Sequence, residues 1–252
     1  MFRLLRLKPP HGWNAVAWEL VIVTVGVLLA LGLQQAAETA NQRSEAAETR
    51  AALTTEIEET LALLELRQAA QPCIDNRLKE LRAIVDQWGR TGSFKTPRWV
   101  SQATWFWLTT TRYDAAQSAG RLALLPSAEQ YRLGLVVGGL RSSWEVQAKE
   151  IEAWGTLRLL QSGADALSAS DRTAVRVALQ QASTLNYLAK IRVGQTLSQA
   201  ASYGWHPNMR RVRQTMRLAW KNGRFFPSSC LSIDTPPDQA NAETNMIYPM
   251  PE

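Results

Sequence analysis

The stretch AVAWELVIVTVGVLLALGLQQAAE, residues 15–38, decides the fold class because it is long and apolar enough to cross a bilayer. No residue from Leu20 to Leu33 is charged. A bilayer core of about 30 Å needs about 20 helical residues. The sequence therefore predicts a transmembrane helix over residues 14–34 that follows a short tail, residues 1–13.

The charges on either side of this span predict its orientation. Arg3, Arg6 and Lys8 precede it with no acid before Glu19, whereas acidic residues predominate just after it. Basic flanks stay in the cytoplasm. We therefore expect a single-pass protein of the bacterial inner membrane with a cytoplasmic N-terminus and the bulk of the chain in the periplasm.

A cleaved signal peptide is the alternative interpretation, because the uncharged run is short enough for the apolar region of a signal sequence. The stretch GLQQAAETAN, residues 32–41, has no cleavage site with small residues at both required positions. The triplet Ala30-Leu31-Gly32 has suitable sizes but lies inside the apolar run. The sequence therefore favours an uncleaved anchor.

One face of the span has the features of a packing surface. Glu19, Gly26 and Ala30 fall on one stripe of a helix. A Gly-x-x-x-Ala pair allows a second helix to approach closely. Because Glu19 lies near the end of the span beside Trp18, its carboxylate can alternatively reach water at the interface and mark nothing more than that boundary.

The span also resembles a known pattern. Residues 19–31, E-L-V-I-V-T-V-G-V-L-L-A-L, are similar to the span of an uncharacterised bacterial family of single-span membrane proteins, which reads roughly G-E-I-x-L-V-x-x-G-I-L-I-A-L. Trp18 replaces the usual Gly, and the resemblance covers about 20 of 252 residues. It implies a short cytoplasmic tail and an extracytoplasmic helical region, but no activity. The matching positions are Glu19, Gly26, Ala30 and Leu31.

The rest of the chain is predicted to be all-α. Residues 35–72 contain no Gly and no Pro before Pro72, and their apolar positions recur at helical spacing, which predicts a stalk helix continuing the membrane helix. Residues 73–231 are predicted to form an exported, bundle-like domain of about five to six helices. Residues 232–252 are Pro-rich and polar and predict an extended tail. The apolar stripe of the stalk consists of Leu53, Ile57, Leu61 and Leu64.

Cap and turn residues divide the exported domain into helices. Gly134, Gly138 and Gly139 predict a close contact between the fourth helix and another helix. The inner face of the second helix is predicted to carry Leu78, Leu81, Val85 and Trp88. The predicted helices begin at Asp75, Thr96, Ser127, Ser170 and Asn208, and end near Gly89, Ala119, Gly163, Gly204 and Gly223.

The two cysteines of the chain, Cys73 and Cys230, predict a disulfide. An even number of cysteines in an oxidising compartment favours a bridge, and such a bridge would join the end of the stalk to the end of the last predicted helix. The alternative is a pair of isolated thiols that are buried as small apolar side chains.

Two further groups are candidates for an interaction surface. Trp105 and Trp107 lie in a run rich in aromatic residues and are predicted to point away from the helix face that carries Trp99 and Phe106. Trp is enriched at protein interfaces, although these rings could equally fill the core. The second group is a basic run that could bind anionic partners or pair with the acidic stalk. Its residues are Arg210, Arg211, Arg213 and Arg217.

The sequence carries no pattern of catalytic residues. His11 and His206 are the only histidines, and neither has a neighbouring His or Cys to make a metal site. We therefore expect no enzyme, no cofactor and no metal. Partners are expected to be the lipid bilayer and either another membrane or envelope protein or a second copy, with no nucleic acid.

Three function classes fit these features. The first is a structural or adaptor subunit that docks onto another envelope protein or onto itself. The second is a helical, sensor-like ligand-binding module that signals through a partner. The third is a proton-driven envelope protein that uses Glu19, which the position of this acid at the very end of the span disfavours. The sequence favours the adaptor, with the ligand-binding module as the alternative.

Overall fold

The computed structural model describes residues 12–101, 103–210, 230, 232–234 and 236. Over these residues the secondary structure is helical and includes no strand, which confirms the all-α prediction. Short 3₁₀ segments occupy Arg121–Leu124, Arg158–Ser162 and Ala164–Ala166. The five α-helices are α1 (Gly12–Ala69), α2 (Gln71–Thr91), α3 (Thr111–Ser118), α4 (Ser127–Leu157) and α5 (Ala169–Ser202).

The apolar span lies in α1, which continues without a break for 58 residues. Its most apolar part has a mean hydropathy of 2.3 and is 0% buried, and it is long enough to cross a membrane. As predicted, the apolar helix continues into the helix that follows it. The two parts form one element because no Pro interrupts the helical residues between them.

The second part of α1 belongs to the core of the domain. Residues 40–45 are exposed, but burial begins at Thr49 and continues along one face to the end of the helix. The predicted stalk, residues 35–72, therefore has a short exposed section followed by a core section. The buried apolar side chains are those of the predicted stripe, Leu53, Ile57, Leu61 and Leu64.

A proline separates α1 from α2. Pro72 lies in the first turn of α2, where its missing N–H is tolerated, and its ring would block the continuation of α1. The prediction that Asp75 caps this helix is wrong, because Pro72 sets a start four residues earlier. The two helices make little contact with each other, so α2 does not fold back along α1.

The second helix has the predicted inner face but extends further than expected. It ends at Thr91, where Gly92 adopts the left-handed conformation (φ 75°) and donates its N–H to the Trp88 carbonyl. Gly89 stays inside the helix, so the predicted end is wrong. The predicted inner-face residues Leu78, Leu81, Val85 and Trp88 are all buried.

Residues 93–101 and 103–110 lie in an irregular, partly extended segment that we call the strap. A helix was expected to begin at Thr96, and that prediction is wrong. From Thr104 to Leu108 burial alternates with a period of two, as in an extended chain. The aromatic and β-branched residues of this stretch suit an extended chain better than a helix. Arg77 fixes the strap to α2, since its Nη1 donates to the carbonyls of Trp99 (2.8 Å) and Val100 (3.0 Å).

The strap ends where α3 begins, and a carboxylate of α1 caps that helix from outside. Glu56 accepts hydrogen bonds from the backbone N–H groups of Arg112 (2.9 Å) and Tyr113 (3.0 Å). These are free N–H groups of the first turn, where a negative charge is favourable. Glu56 is therefore a buried acid of α1, with 6% of its surface exposed.

Helices α4 and α5 make the most extensive helix pair of the domain. A Cβ added to Gly139 would lie 2.7 Å from Oγ1 of Thr196, so this glycine allows the close contact that was predicted. Gly134 and Gly138 have no comparably close neighbour. At the far end of α4, a 3₁₀ segment continues the chain to Gly163, which adopts φ 81°.

The starts of α4 and α5 differ from the predicted caps. Ser127 is the first residue of α4 rather than its cap, and Pro126 precedes it without a side-chain cap. The cap of α5 is Ser168 instead of Ser170, because Ser168 forms a capping box with Asp171. The predicted sixth helix, residues 208–223, lies outside the described residues beyond Arg210.

The core consists of two apolar clusters on either side of a polar layer. The far cluster joins α2, the strap and the adjoining ends of α4 and α5, and includes Trp88 and Trp154. The span-side cluster joins the second part of α1 to the strap, α4 and α5, and includes Leu61 and Leu140. The buried polar side chains between them come from α1, α2, α4 and α5.

Candidate functional site

Three tryptophans form a surface group that we call the aromatic patch, half-buried Trp105 and Trp144 and exposed Trp107. The ring of Trp144, on α4, lies 5.8 Å from that of Trp105 and 4.8 Å from that of Trp107. Trp107 is 68% exposed, while Trp105 is half-buried. The structure thus brings the two predicted surface tryptophans together around a third one that the sequence analysis did not single out.

Buried and outward-facing side chains alternate along the strap, and the two tryptophans that the strap contributes to the patch occupy outward-facing positions. Thr104, Phe106 and Leu108 are buried, so the residues between them face the other way. Gln147 of α4 fixes this register, because its Oε1 accepts the N–H of Phe106 at 3.3 Å. The patch therefore lies on a backbone that is attached to the core.

An exposed indole supported by other indoles suits contact with protein. Trp offers a large, rigid apolar area with one N–H donor, which is why it is enriched among the residues that dominate interfaces. Within the described part of the domain, Trp107 shares with Tyr131 the largest exposed fraction, 68%, of any large apolar or aromatic side chain.

The predicted packing face of the span is uncovered. Glu19, Gly26 and Ala30 are all exposed. A Cβ added to Gly26 would meet no atom within 4 Å. Residues 16–33 make no contact that buries them, so this face is available to lipid or to another helix.

The predicted disulfide is present. Cys73 and Cys230 are bonded across 157 residues of chain. The segment after Cys230 lies against the strap, where Ile233 accepts the N–H of Trp99 at 3.2 Å and Asp234 pairs with Lys95 at 2.7 Å. The bridge therefore holds the C-terminal segment next to α2.

Only one residue of the predicted basic run can be placed. Arg210 is exposed, whereas Arg211, Arg213 and Arg217 lie outside the described residues. Just before the run, the N–H of Asn208 donates to the Glu58 carbonyl of α1 at 2.9 Å. The chain thus returns to the second part of α1, and the predicted pairing of basic and acidic segments stays a prediction.

The polar layer is built around a buried ion pair that the sequence analysis missed. Nη2 of Arg67 lies 3.0 Å from Oε2 of Glu150, and the two side chains are 1% and 0% exposed. Nη1 of Arg67 donates to Gln71 at 2.9 Å. Asn186 accepts from both Arg67 (3.2 Å) and Gln71 (2.8 Å). Four helices therefore meet at one guanidinium.

This network continues to the surface at Asp75. Its Oδ1 accepts hydrogen bonds from Nε2 of Gln71 at 2.9 Å and Nδ2 of Asn186 at 2.6 Å. Burial raises the pKa of Glu150, and the guanidinium of Arg67 opposes that rise. A charged pair with this little exposure is stable only when both partners are present.

A cleft of about 470 Å³ opens above the polar layer, at the junction of α1 and α2. Arg67 and Gln71 contribute to its inner part, and the exposed side chains of Lys79 and Lys190 line it from α2 and α5. A cleft of this volume can hold a small molecule.

Nothing in the described part of the chain resembles a metal centre, since no group of three or more His, Cys, Asp or Glu side chains comes together there. His206 is exposed beyond the end of α5. The arrangement offers surfaces and a charged cleft, both of which suit binding.

One sequence signal could have revealed the polar layer. Arg67 follows Leu64 by three positions, so it falls on the apolar stripe of α1. On α4, Ser143, Gln147 and Glu150 interrupt an apolar stripe in the same way. Polar residues at consecutive inward positions of two helices indicate that they face each other, although the pattern does not say which pairs form.

Comparison with family models, with curated proteins and with solved structures finds no match for this chain. The class of protein is therefore defined by the chain's own features: over the described residues the fold is helical, and one helix could cross a membrane. The resemblance of the span to the single-span family stays a prediction.

Proposed function

We propose that this chain is a membrane-anchored, periplasmic helical protein that acts as a structural or adaptor subunit. It docks onto another envelope protein or onto a second copy. The observation that carries the proposal is the dual character of α1, which is an uncovered apolar helix over residues 16–33 and a core element of the domain from Thr49 onward.

A continuous helix suits an adaptor because it fixes where the domain stands. Residues 34–48 separate the apolar span from the first buried position, and at about 1.5 Å per residue they cover about 22 Å along the helix. A flexible linker would let the domain move freely, whereas a helix couples the rotation and height of the domain to those of the span.

The proposed location follows from charge and cysteine chemistry. Arg3, Arg6 and Lys8 before the span favour a cytoplasmic N-terminus in the bacterial inner membrane. The disulfide between Cys73 and Cys230 suits an oxidising compartment such as the periplasm. A reporter that fluoresces only in the cytoplasm, fused after Glu252, should therefore stay dark, and bright cells would contradict this topology.

Two surfaces are proposed to meet partners. The aromatic patch would contact protein through Trp107, and the stripe of Glu19, Gly26 and Ala30 would contact another membrane helix. Glu19 then has a role beyond marking the interface, because a partner helix would supply hydrogen-bond donors to its carboxylate. The basic run that includes Arg210 is a third candidate for anionic groups.

Crosslinking in intact cells tests the docking proposal. Trp107→Ala removes an exposed ring and Gly26→Leu blocks close approach of a helix, so each should reduce a crosslinked species by about tenfold or more. Glu19→Gln should weaken association in the membrane by about 1–2 kcal/mol. Tyr187→Ala, at another exposed aromatic residue, is the matched control. Unchanged crosslinking in all three variants would overturn the proposal.

A ligand-binding module is the second candidate function, and the cleft above the polar layer is the observation that favours it. Binding there would act on the junction of α1 and α2 and so on the helix that continues to the span. A soluble molecule that raises the melting temperature of the domain without changing crosslinking would favour this function over docking.

A further inference from the structure

We infer that the cleft at the junction of α1 and α2 binds a small molecule that carries an oxyanion group, a carboxylate or a phosphate. This inference rests on the second candidate function and names its ligand class. It does not depend on docking, because the cleft and the aromatic patch use different residues.

The charges that line the cleft favour an anion. Two exposed cationic side chains line it, Lys79 and Lys190, besides Arg67, whose charge is paired with Glu150, against one acid among its described lining residues, Asp75. Gln71 and Asn186 both donate to Oδ1 of that acid. The exposed ammonium groups come from two different helices, so a ligand between them would meet donors on both sides.

An unsatisfied donor provides the second, independent observation. Arg67 is 1% exposed, and its Nε has no hydrogen-bond partner, although both of its Nη atoms have partners. A buried N–H without an acceptor is unfavourable, and proteins rarely leave one in that state. Because Arg67 itself lines the cleft, a bound oxyanion can supply the missing acceptor after a small displacement of the guanidinium.

The rest of the lining fits a short ligand of this class. The first turn of α2 borders the cleft at Pro72. Pro72 and Val193 provide apolar walls for a short carbon chain. A volume of about 470 Å³ accommodates such a molecule with its hydration water.

The experiment uses the full chain in detergent micelles, with inorganic phosphate and succinate as probes and chloride at equal ionic strength as the reference. Isothermal titration and the melting temperature are measured for each probe. We expect saturable binding of at least one probe and a higher melting temperature than in chloride. Phosphate alone would identify a phosphate site, and succinate alone a carboxylate site.

Matched variants separate this site from general salt effects. The double variant Lys79→Gln with Lys190→Gln should bind the probe about tenfold more weakly or worse. Lys149→Gln, at an exposed lysine of α4 outside the cleft lining, should bind like the unchanged protein. The inference is overturned if neither probe binds saturably, or if the double variant binds as well as the control. Crosslinking through Trp107 is measured separately, so a failure here leaves the docking proposal unaffected.

Discussion

The two parts of α1 have similar apolar side chains but opposite surroundings. Leu28, in the span, is 63% exposed, whereas Leu61, in the domain, is 0% exposed. Apolar residues surround the helix in the first part but form a single stripe in the second. The comparison shows that the distribution of apolar residues around a helix, rather than their number, indicates whether lipid or protein covers it.

The ionisable residues of the two parts differ in the same sense. Glu19 sits at the end of the span and is exposed. Arg67 and Glu56 lie inside the domain, and each is held by hydrogen bonds to other elements of the fold. A charge in the first part can reach water, whereas a charge in the second part requires a partner fixed by the fold.

Removing the disulfide should have the largest effect of these changes on the stability of the domain, and it should leave the span unchanged. Closing a loop of 157 residues is worth about 5 kcal/mol as an upper figure from chain entropy. Cys230→Ser should lower the free energy of unfolding of the domain by up to that amount. Urea unfolding with and without reductant measures it, and reductant should not affect the Cys73→Ser, Cys230→Ser double variant.

Breaking the buried pair of Arg67 and Glu150 should have the next largest effect on the stability of the domain. Arg67→Leu leaves Glu150 buried without its counter-charge, which should cost about 3–5 kcal/mol of domain stability. A second change, Glu150→Leu, should restore most of this loss, because an apolar pair of similar volume needs no counter-charge. Urea denaturation of the single and double variants tests both statements. A double variant no more stable than Arg67→Leu alone would contradict this account.

The same pair, Arg67 and Glu150, predicts that the stability of the domain depends on pH. Burial raises the pKa of Glu150, so the folded state binds its proton more tightly than the unfolded state does. The contribution of this carboxyl to stability is therefore greatest below its unfolded pKa, about 4.3, and is lost as pH rises through its folded pKa. Arg67→Leu removes the opposing cation and leaves the Glu150 carboxylate unpaired. The loss of stability of this variant should therefore shrink as pH falls through the folded pKa of Glu150 and the carboxyl becomes neutral.

In the span, a charge should disrupt membrane insertion and leave the domain intact. Leu28→Arg places a cation near the middle of the apolar stretch, which should cost about 2.5–3.5 kcal/mol of insertion free energy. The urea stability of the domain should not change, because Leu28 packs against no part of it. Alkaline extraction of membranes measures anchoring, with Leu28→Val as the control. A Leu28→Arg variant that stays anchored as firmly as the control would contradict the assignment of the span.

The cap on α3 should give the smallest effect. Glu56→Ala removes the acceptor of two backbone N–H groups and should cost about 1–2 kcal/mol. Glu65→Ala changes an exposed acid of the same helix and should be nearly silent. Hydrogen exchange of the α3 amides should increase in the first variant only. Equal exchange in both would show that Glu56 does not cap α3.

Several features could be predicted from the sequence because their causes are local. The apolar run defines a helix that could cross a membrane, the stripe from Leu53 to Leu64 defines a buried face, and Pro72 ends the helix. The disulfide was predictable for a simpler reason, since Cys73 and Cys230 are the only two cysteines.

The strap was not predictable from caps alone. Thr96-Pro97 is a common helix start, but the residues after it pack as an extended chain against α1, α2 and α4. That packing outweighs a local preference worth a few tenths of a kcal/mol per residue. The aromatic patch depends on the same packing of the strap, because Trp144 is 37 positions from Trp107 and only the folded strap brings them together.

The sequence by itself therefore determined the helical class, the apolar span, the buried faces and the choice of cysteine partners. Only the tertiary structure decided the path of the strap, the aromatic patch, the polar layer and the cleft above it. Arg67 meets Glu150 across 83 positions and Asn186 across 119. Periodicity and capping act within a few turns of one helix, whereas these pairs depend on how whole helices are placed against each other.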